Sequence, residues 1–404
     1  MEGRPRQAVI LAGGRGERLR PLTDSTPKHL LPLAGRPFLG YLFDWLRERG
    51  FERVLLLLGY RAEATIRWAG DGARFGLAVR YAVTPPAWQT ARRLRQARDL
   101  LERHFLLLYC DNYVPLPFLA HWQRFRASGA LVQMTVYDNA DLYSTSNVAL
   151  DAQGMVRAYL GRGTGPEEVP AGHTDIGFAL FDRAAIDLIP DEDAPFERIL
   201  YPRLAAMGRL GATVTGHRYY GVGRRERLAA SERFFAGQKA LLVDRDGVLN
   251  RRRGPGEYVR GWADWEWLPD ARAGLAAWKA AGYRVLVVTN QAGLARGALS
   301  PAALEEIHRR LIEESGGAIE RVYVCPHGWD EGCRCRKPAP GLLFQAQRDY
   351  DLDLSRTLFL GDDHRDGEAA EAAGCRFAAY AGGPWPLPGE SVAKETPTEC
   401  LNVF

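Results

Sequence analysis

The apolar residues of this chain fall into two recurring patterns. Short unbroken runs have the length and aliphatic content of fully buried strands: AVILAGG at 8–14, RVLLLLGY at 53–60 and ALLVDRDG at 240–247. Between them lie stretches with helical periodicity. Phe38, Tyr41, Leu42, Trp45 and Leu46 share one helical face and meet a glycine stop at Gly50. ARAGLAAWKAAGYRVLVVTNQ, 271–291, repeats the order helix, glycine, strand. Ser300-Pro301 then supplies an N-cap and a first-turn proline for a helix closing near Gly316-Gly317. Strands alternating with helices predict an α/β protein with parallel sheets covered on both faces. The break between two units is expected at 235–238. That gives units of 1–236 and 237–385, with 386–404 as an irregular tail.

Composition narrows the class. With 404 residues, 46% hydrophobic and 25% charged, the chain has enough apolar material for two ordinary cores. A net charge of +4 is spread too thinly for a nucleic-acid face, and no apolar run approaches the ~20 residues of a membrane helix. A cytoplasmic protein acting on small phosphorylated molecules is expected. In that setting, clustered cysteines read as metal ligands or catalysts before disulfides.

The densest chemistry lies in the second half. Asp244 and Asp246 follow the strand 240–243, at the sheet edge where open α/β sheets bind ligands. One carboxylate can attack phosphorus to form an aspartyl-phosphate, and the other can move the protons. Thr289, Asn290 and Gln291 end another strand and offer a hydroxyl and amides to phosphate oxygens. The stretch from Gly361 to Asp366 ends a third and offers carboxylates to Mg²⁺, with Asp362 and Asp363 expected as ligands beside Asp244 and Asp246. Lys337 would neutralise the transferring phosphoryl group. Just before it, Cys325, His327, Cys333 and Cys335 form C-x-H…C-x-C, three thiolates and an imidazole suited to structural zinc. A zinc ion there would make a glycine-bearing loop rigid enough to position Arg336 and Lys337.

These motifs, in this order, resemble the haloacid dehalogenase superfamily of phosphatases. DRDGVLN, VVTNQAGLARG, CPH…CRCRKPAPG and GDD are similar to the D-glycero-D-manno-heptose 1,7-bisphosphate phosphatases over roughly 240–383. Histidinol-phosphate phosphatases share much of the pattern. The resemblance implies a HAD-like three-layer fold with a zinc loop, catalysis by Asp244, Asp246, Thr289 and Lys337, and substrate reading by Arg336. It also implies substrate contact from the 251–258 loop, where Arg252 and Tyr258 are the candidates.

The first half opens with Leu11-Ala12-Gly13-Gly14-Arg15-Gly16, followed by Arg18 and by Lys28 in TPKHLLP. Glycines directly after a strand let backbone N–H groups reach a triphosphate, and the basic side chains hold its charge. The pair of motifs resembles the sugar-1-phosphate nucleotidyltransferases over roughly 7–235. That resemblance implies a GT-A-like fold, a nucleoside triphosphate and a sugar 1-phosphate as substrates, and Asp111 as a magnesium ligand. Three positions depart from the family. The base-reading glycines are replaced in Trp88–Leu94, Asp175 stands for the usual asparagine, and Gly221 stands for the second metal carboxylate. Taken together, the chain is expected to dephosphorylate a heptose bisphosphate and to join the product to a nucleotide, with GTP favoured. The alternative is a phosphatase of heptose bisphosphate, histidinol phosphate or another small phosphoester, with a catalytically degenerate nucleotidyltransferase-fold domain that only binds.

Overall fold

The computed structural model describes residues 3–160, 172–254 and 256–389; most of the tail expected at 386–404 lies outside them. The chain divides into two compact units, Met1–Ala236 and Gly237–Phe404. The first ends with the helix Arg225–Phe235, and Gly237 begins the second in a left-handed conformation, φ 77°.

The N-terminal unit is built on a seven-stranded sheet. Its strands are β1 (Gln7–Ala12), β2 (Arg53–Leu58), β3 (Ala78–Val83), β4 (His104–Tyr109), β5 (Val132–Tyr137), β6 (Thr174–Asp182) and β7 (Leu210–Thr215). Their order is β7-β5-β6-β4-β1-β2-β3. Strand β1 sits in the middle, parallel to β2 and β4, so it is buried on both faces. Ala8, Ile10 and Ala12 enter one core with Phe38, Leu42, Trp45 and Leu46; Val9 and Leu11 enter the other with Leu94 and Phe105. The helix Phe38–Glu48 carries the predicted apolar stripe, with Tyr41 at its margin, and Gly50 follows at φ 74°.

One strand departs from the parallel expectation. Strand β6 is antiparallel to both β4 and β5. The segment before it holds a two-stranded pair, Val148–Leu150 with Val156–Tyr159, where a crossover helix would be needed to restore direction.

The C-terminal unit has a five-stranded parallel sheet of β8 (Ala240–Val243), β9 (Arg284–Asn290), β10 (Ile319–Cys325), β11 (Leu358–Gly361) and β12 (Arg376–Ala379), in the order β10-β9-β8-β11-β12. Again the central strand splits its side chains between two cores: Leu241 and Val243 on one face, Ala240 and Leu242 on the other. The helix Pro301–Glu314 starts at Ser300, whose hydroxyl accepts from the Ala303 N–H, and Gly316 and Gly317 follow its end at positive φ. Among the described residues no helix is long and apolar enough to cross a membrane. In both units the residues with chemistry follow the carboxyl ends of central strands, where diverging loops open a crevice.

Trp45 is 1% exposed within the N-terminal core. Replacing it by alanine is expected to cost about 3–5 kcal/mol of that unit's stability, read as a lower urea midpoint.

Candidate active sites

The C-terminal site is organised around a buried ammonium. Lys337 is 2% exposed, and its Nζ lies 2.8 Å from Asp244 Oδ1 and 2.7 Å from Asp366 Oδ1. It donates a third bond to the Val288 carbonyl at 2.9 Å, which uses all three of its protons. Asn290 grips the backbone of the same residue: its Oδ1 accepts from the Lys337 N–H at 3.1 Å and its Nδ2 donates to the Lys337 carbonyl at 3.0 Å. Asn290 therefore spends its amide on positioning the lysine, where the sequence had offered it to substrate. Gln291 bridges, its Nε2 donating to Thr289 Oγ1 at 2.9 Å and to Asp246 Oδ2 at 2.8 Å.

Among the described residues, the carboxylates gathered here are those of Asp244, Asp362 and Asp366, each offering an oxygen within 4.8 Å of the others. Two residues expected to hold magnesium, Asp246 and Asp363, point elsewhere. The Asp246 side chain is taken by Asn250, Gln291 and Arg245. Asp363 caps the helix His364–Ala373 through the Arg365 N–H and pairs with the guanidinium groups of Arg365 and Arg252. Asp366 replaces them in the cluster.

The electrostatics favour a cation. Burial pushes the Asp244 carboxyl up to about 7; Lys337 opposes the rise, and Asp366 and Asp362 add to it. Burial likewise lifts Asp362 to about 6, against the pull of Arg252 and with help from Asp366 and Asp363. Asp362 Oδ1 is buried with no hydrogen-bond partner. A compact set of oxygens with one unsatisfied buried acceptor suits Mg²⁺. Gly247 makes room for the arrangement. It has φ 101°, and a Cβ there would lie 1.9 Å from Asp362 Oδ2.

The four residues Cys325, His327, Cys333 and Cys335 converge, with all donor atoms within 4.8 Å. The sulfur pairs are 3.4, 3.6 and 3.6 Å apart, and His327 Nδ1 is 3.2 Å from Cys335 Sγ and 3.6 Å from Cys325 Sγ. Zn–S and Zn–N bonds of ordinary length in a tetrahedron give edges of ~3.8 and ~3.6 Å, so the donor set fits zinc. The sulfurs are too far apart for disulfides, and all are free. Burial and the neighbouring thiols push Cys335 up to about 12, a repulsion that a dication would relieve. Arg336 Nη1 donates to the His327 carbonyl at 3.3 Å, tying it to this loop. Arg252 reaches Asp362 at 3.2 Å, and the ring of Tyr258 packs against Gly293.

In the N-terminal unit, β1 runs straight into Gly13, which is buried, while Gly14, Arg15 and Arg18 are exposed. Leu11 and Ala12 belong to the buried strand end. Gly16 adopts φ 67° against Lys28 and Thr23. Lys28 Nζ lies 2.6 Å from Asp111 Oδ2. Burial is the largest single effect and disfavours the ammonium, but the charge of Asp111, the Cys110 thiol and the Asp111 hydrogen bond together outweigh it, and the Lys28 pKa is raised. The carboxylate of Asp175 accepts from the Tyr159 hydroxyl at 3.1 Å and the Gly177 N–H at 2.8 Å. Gly221 pairs with Asn112 in a short two-stranded ladder, and a Cβ at 221 would lie 1.9 Å from the Asp111 carbonyl oxygen. Backbone fills the space that an aspartate there would need.

The sequence did not point to Arg93. It is 3% exposed, donates to the carbonyls of Leu58, Pro85 and Trp88 at 2.7, 2.9 and 3.1 Å, and packs on Gly13. It fastens the 84–88 loop to the glycine loop. An arginine in an amphipathic helical segment carries no signal of burial, so only the fold reveals it.

Comparison with known proteins separates the two halves. The family model "Nucleotidyl transferase" matches residues 7–158, and the HAD-hydrolase-like model matches 334–398. The D-glycero-beta-D-manno-heptose-1,7-bisphosphate 7-phosphatase of Pseudomonas aeruginosa is 42% identical over 139 residues, spanning 34% of this chain and 77% of that enzyme. The D-glycero-alpha-D-manno-heptose-1,7-bisphosphate 7-phosphatase of Mycobacterium tuberculosis is 38% identical over 154 residues, 36% of this chain and 80% of that enzyme. Among solved structures, the D,D-heptose 1,7-bisphosphate phosphatase from B. bronchiseptica, complexed with magnesium and phosphate, is 39% identical over 35% of this chain and 79% of that one, TM-score 0.33. HddC from Yersinia pseudotuberculosis is 22% identical over 57% of this chain and 100% of that one, TM-score 0.49.

Gly221→Asp is expected to destabilise the N-terminal unit by about 1–3 kcal/mol, because the new side chain meets backbone. Urea denaturation monitored by fluorescence checks this; an unchanged midpoint contradicts it.

Proposed function

Through its C-terminal unit the chain belongs to the D-glycero-D-manno-heptose 1,7-bisphosphate 7-phosphatase family, and on that premise we propose that it is a bifunctional enzyme of nucleotide-activated heptose synthesis. The C-terminal site removes the 7-phosphate of D-glycero-D-manno-heptose 1,7-bisphosphate. The N-terminal site transfers a nucleotidyl group, GMP in our reading, to the heptose 1-phosphate that remains. The observation that carries this is the Lys337-centred cluster of Asp244 and Asp366, found in a chain that spans over three-quarters of its phosphatase relatives.

Asp244 attacks the 7-phosphorus, forming a P–O bond to its carboxylate as the bond to the sugar oxygen breaks. Asp246 gives a proton to that leaving oxygen, then takes one from the water that attacks the aspartyl-phosphate and frees inorganic phosphate. Lys337 holds the Asp244 oxygen and balances charge on the phosphoryl group, with Thr289, Arg336, Arg252 and Tyr258 around the substrate. Asp244, Asp362 and Asp366 would hold Mg²⁺, which supplies charge neutralisation at the phosphoryl oxygens when bound. Zinc at Cys325, His327, Cys333 and Cys335 has a structural role, fixing the loop that carries Arg336 and Lys337.

In the N-terminal unit, Leu11 to Gly16 with Arg18 receives the triphosphate, Lys28 faces the α-phosphate, and Asp111 would hold Mg²⁺. An oxygen of the sugar 1-phosphate attacks the α-phosphorus and pyrophosphate leaves. The first product is thus the second substrate. Nucleoside triphosphates are available in the cytoplasm, which is where we expect the enzyme to act. The collision at Gly221 favours one second reading, a domain that binds nucleotide without releasing pyrophosphate.

Asp244→Asn is expected to lower phosphate release by about 10³-fold or more while pyrophosphate release from heptose 1-phosphate and GTP persists. Lys28→Ala is expected to do the reverse, with a loss of about 10²-fold or more in pyrophosphate release. Pyrophosphate release that is absent in the wild-type chain, alongside tight GTP binding, supports the second reading. Cys333→Ser is expected to lose bound zinc by elemental analysis and to lower the melting temperature of the C-terminal unit. Full zinc retention overturns that site.

A further inference from the structure

Arg245, between the two catalytic aspartates, is 1% exposed, and its guanidinium faces in two directions. Nε and Nη2 lie 3.1 and 2.8 Å from Asp246 Oδ2, and Nη2 lies 3.2 Å from Oδ1. Nη1, which takes no part in those contacts with Asp246, meets His308 Nε2 at 3.3 Å. A guanidinium can only donate, so Nε2 must accept, and the imidazole is the neutral tautomer with its proton on Nδ1. Burial, with the Arg245 charge beside it, pushes His308 down to about 3, consistent with that neutral form. His308 belongs to the outer helix Pro301–Glu314 and is partly buried.

We propose that His308 is a positioning residue for the phosphatase reaction: by accepting the outward Nη1 proton it locks the rotation of Arg245, and Arg245 in turn sets where the proton-carrying carboxylate of Asp246 sits. This inference rests on the phosphatase reading. The physical reason is satisfaction of buried donors. A guanidinium this deeply buried cannot turn to water, and among the described residues His308 is the acceptor of its outward edge. Removing that acceptor leaves a buried charged donor unpaired, and the group must rotate to find another. Its grip on Asp246 moves with it. Asn250 and Gln291 also hold Asp246, at 2.9 and 2.8 Å, so the fold stays intact and the carboxylate shifts about those two anchors rather than coming loose.

The leaving group separates this role from a merely structural one. An alkoxide such as the sugar oxygen needs a proton as it departs, whereas p-nitrophenolate leaves without one. His308→Leu is therefore expected to lower kcat on the heptose bisphosphate by about tenfold or more with little change in KM. The pre-steady-state burst of p-nitrophenolate from p-nitrophenyl phosphate, which precedes the water step that also uses Asp246, should stay within about twofold. His308→Gln, whose side-chain oxygen can accept from Nη1, is expected to recover most of the loss. Should the leucine variant fail to fold by circular dichroism, His308→Asn, polar but too short to reach Arg245, is expected to give the same selective loss. Equal losses in turnover of the heptose bisphosphate and in the p-nitrophenolate burst, or no loss in either, overturn the inference. A wild-type chain inactive on both substrates overturns the phosphatase reading itself, and the inference falls with it.

Discussion

A single ammonium shared by two buried carboxylates is the interaction on which the C-terminal site depends. Removing Lys337, Asp244 and Asp366 from water is costly, several kcal/mol for each ion, and their mutual attraction offsets it only when the geometry is held. The surroundings supply that hold. Strand β9 contributes the Val288 carbonyl and the Asn290 amide, and the cysteine–histidine loop delivers Arg336 and Lys337 from the other side. Asp244, Asp362 and Asp366 still outnumber the two cations beside them, Lys337 and Arg252, and the unsatisfied Asp362 Oδ1 marks where a divalent cation would complete the balance. That answers why a metal-like cluster precedes a lysine in this sequence. Cys325, His327, Cys333 and Cys335 lie on the stretch that leads to Arg336 and Lys337, and a tetrahedral metal held there would make it rigid.

The N-terminal unit also sets its candidate residues beyond the carboxyl ends of central parallel strands. Its glycine loop and Asp111 follow adjacent central strands, β1 and β4, and the Lys28–Asp111 pair ties the loop region to the strand end. Its electrostatics are thinner, however. At 221, where the family's second metal carboxylate is expected, the chain has a glycine pressed on the Asp111 backbone. This is the physical origin of the tension between a transferring and a merely binding domain.

Much of this was legible beforehand because the signals are local. Buried runs such as Val54–Leu58 and the stripe from Phe38 to Leu46 depend only on periodicity, and the helix after Ser300-Pro301 depends on its cap. The candidate site residues stood out because they follow strands. What was not legible depends on orientation after a turn. Asp363 and Asp366 both follow Gly361, yet helix capping claims the first and the lysine claims the second. Asn290 reads as a phosphate ligand until the Lys337 backbone is seen to occupy both ends of its amide. The reversal of β6 and the burial of Arg93 and Arg245 are set by partners tens of residues away, which no periodicity encodes.

The central claim is that the two sites perform successive reactions on one sugar. The most direct test is a phosphorus NMR time course of the purified protein with D-glycero-D-manno-heptose 1,7-bisphosphate of either anomer, Mg²⁺ and the four nucleoside triphosphates. The account predicts loss of the 7-phosphate signal with growth of inorganic phosphate, followed by pyrophosphate and a nucleoside diphosphate heptose. A reaction that stops at heptose 1-phosphate, with every triphosphate intact, would contradict it.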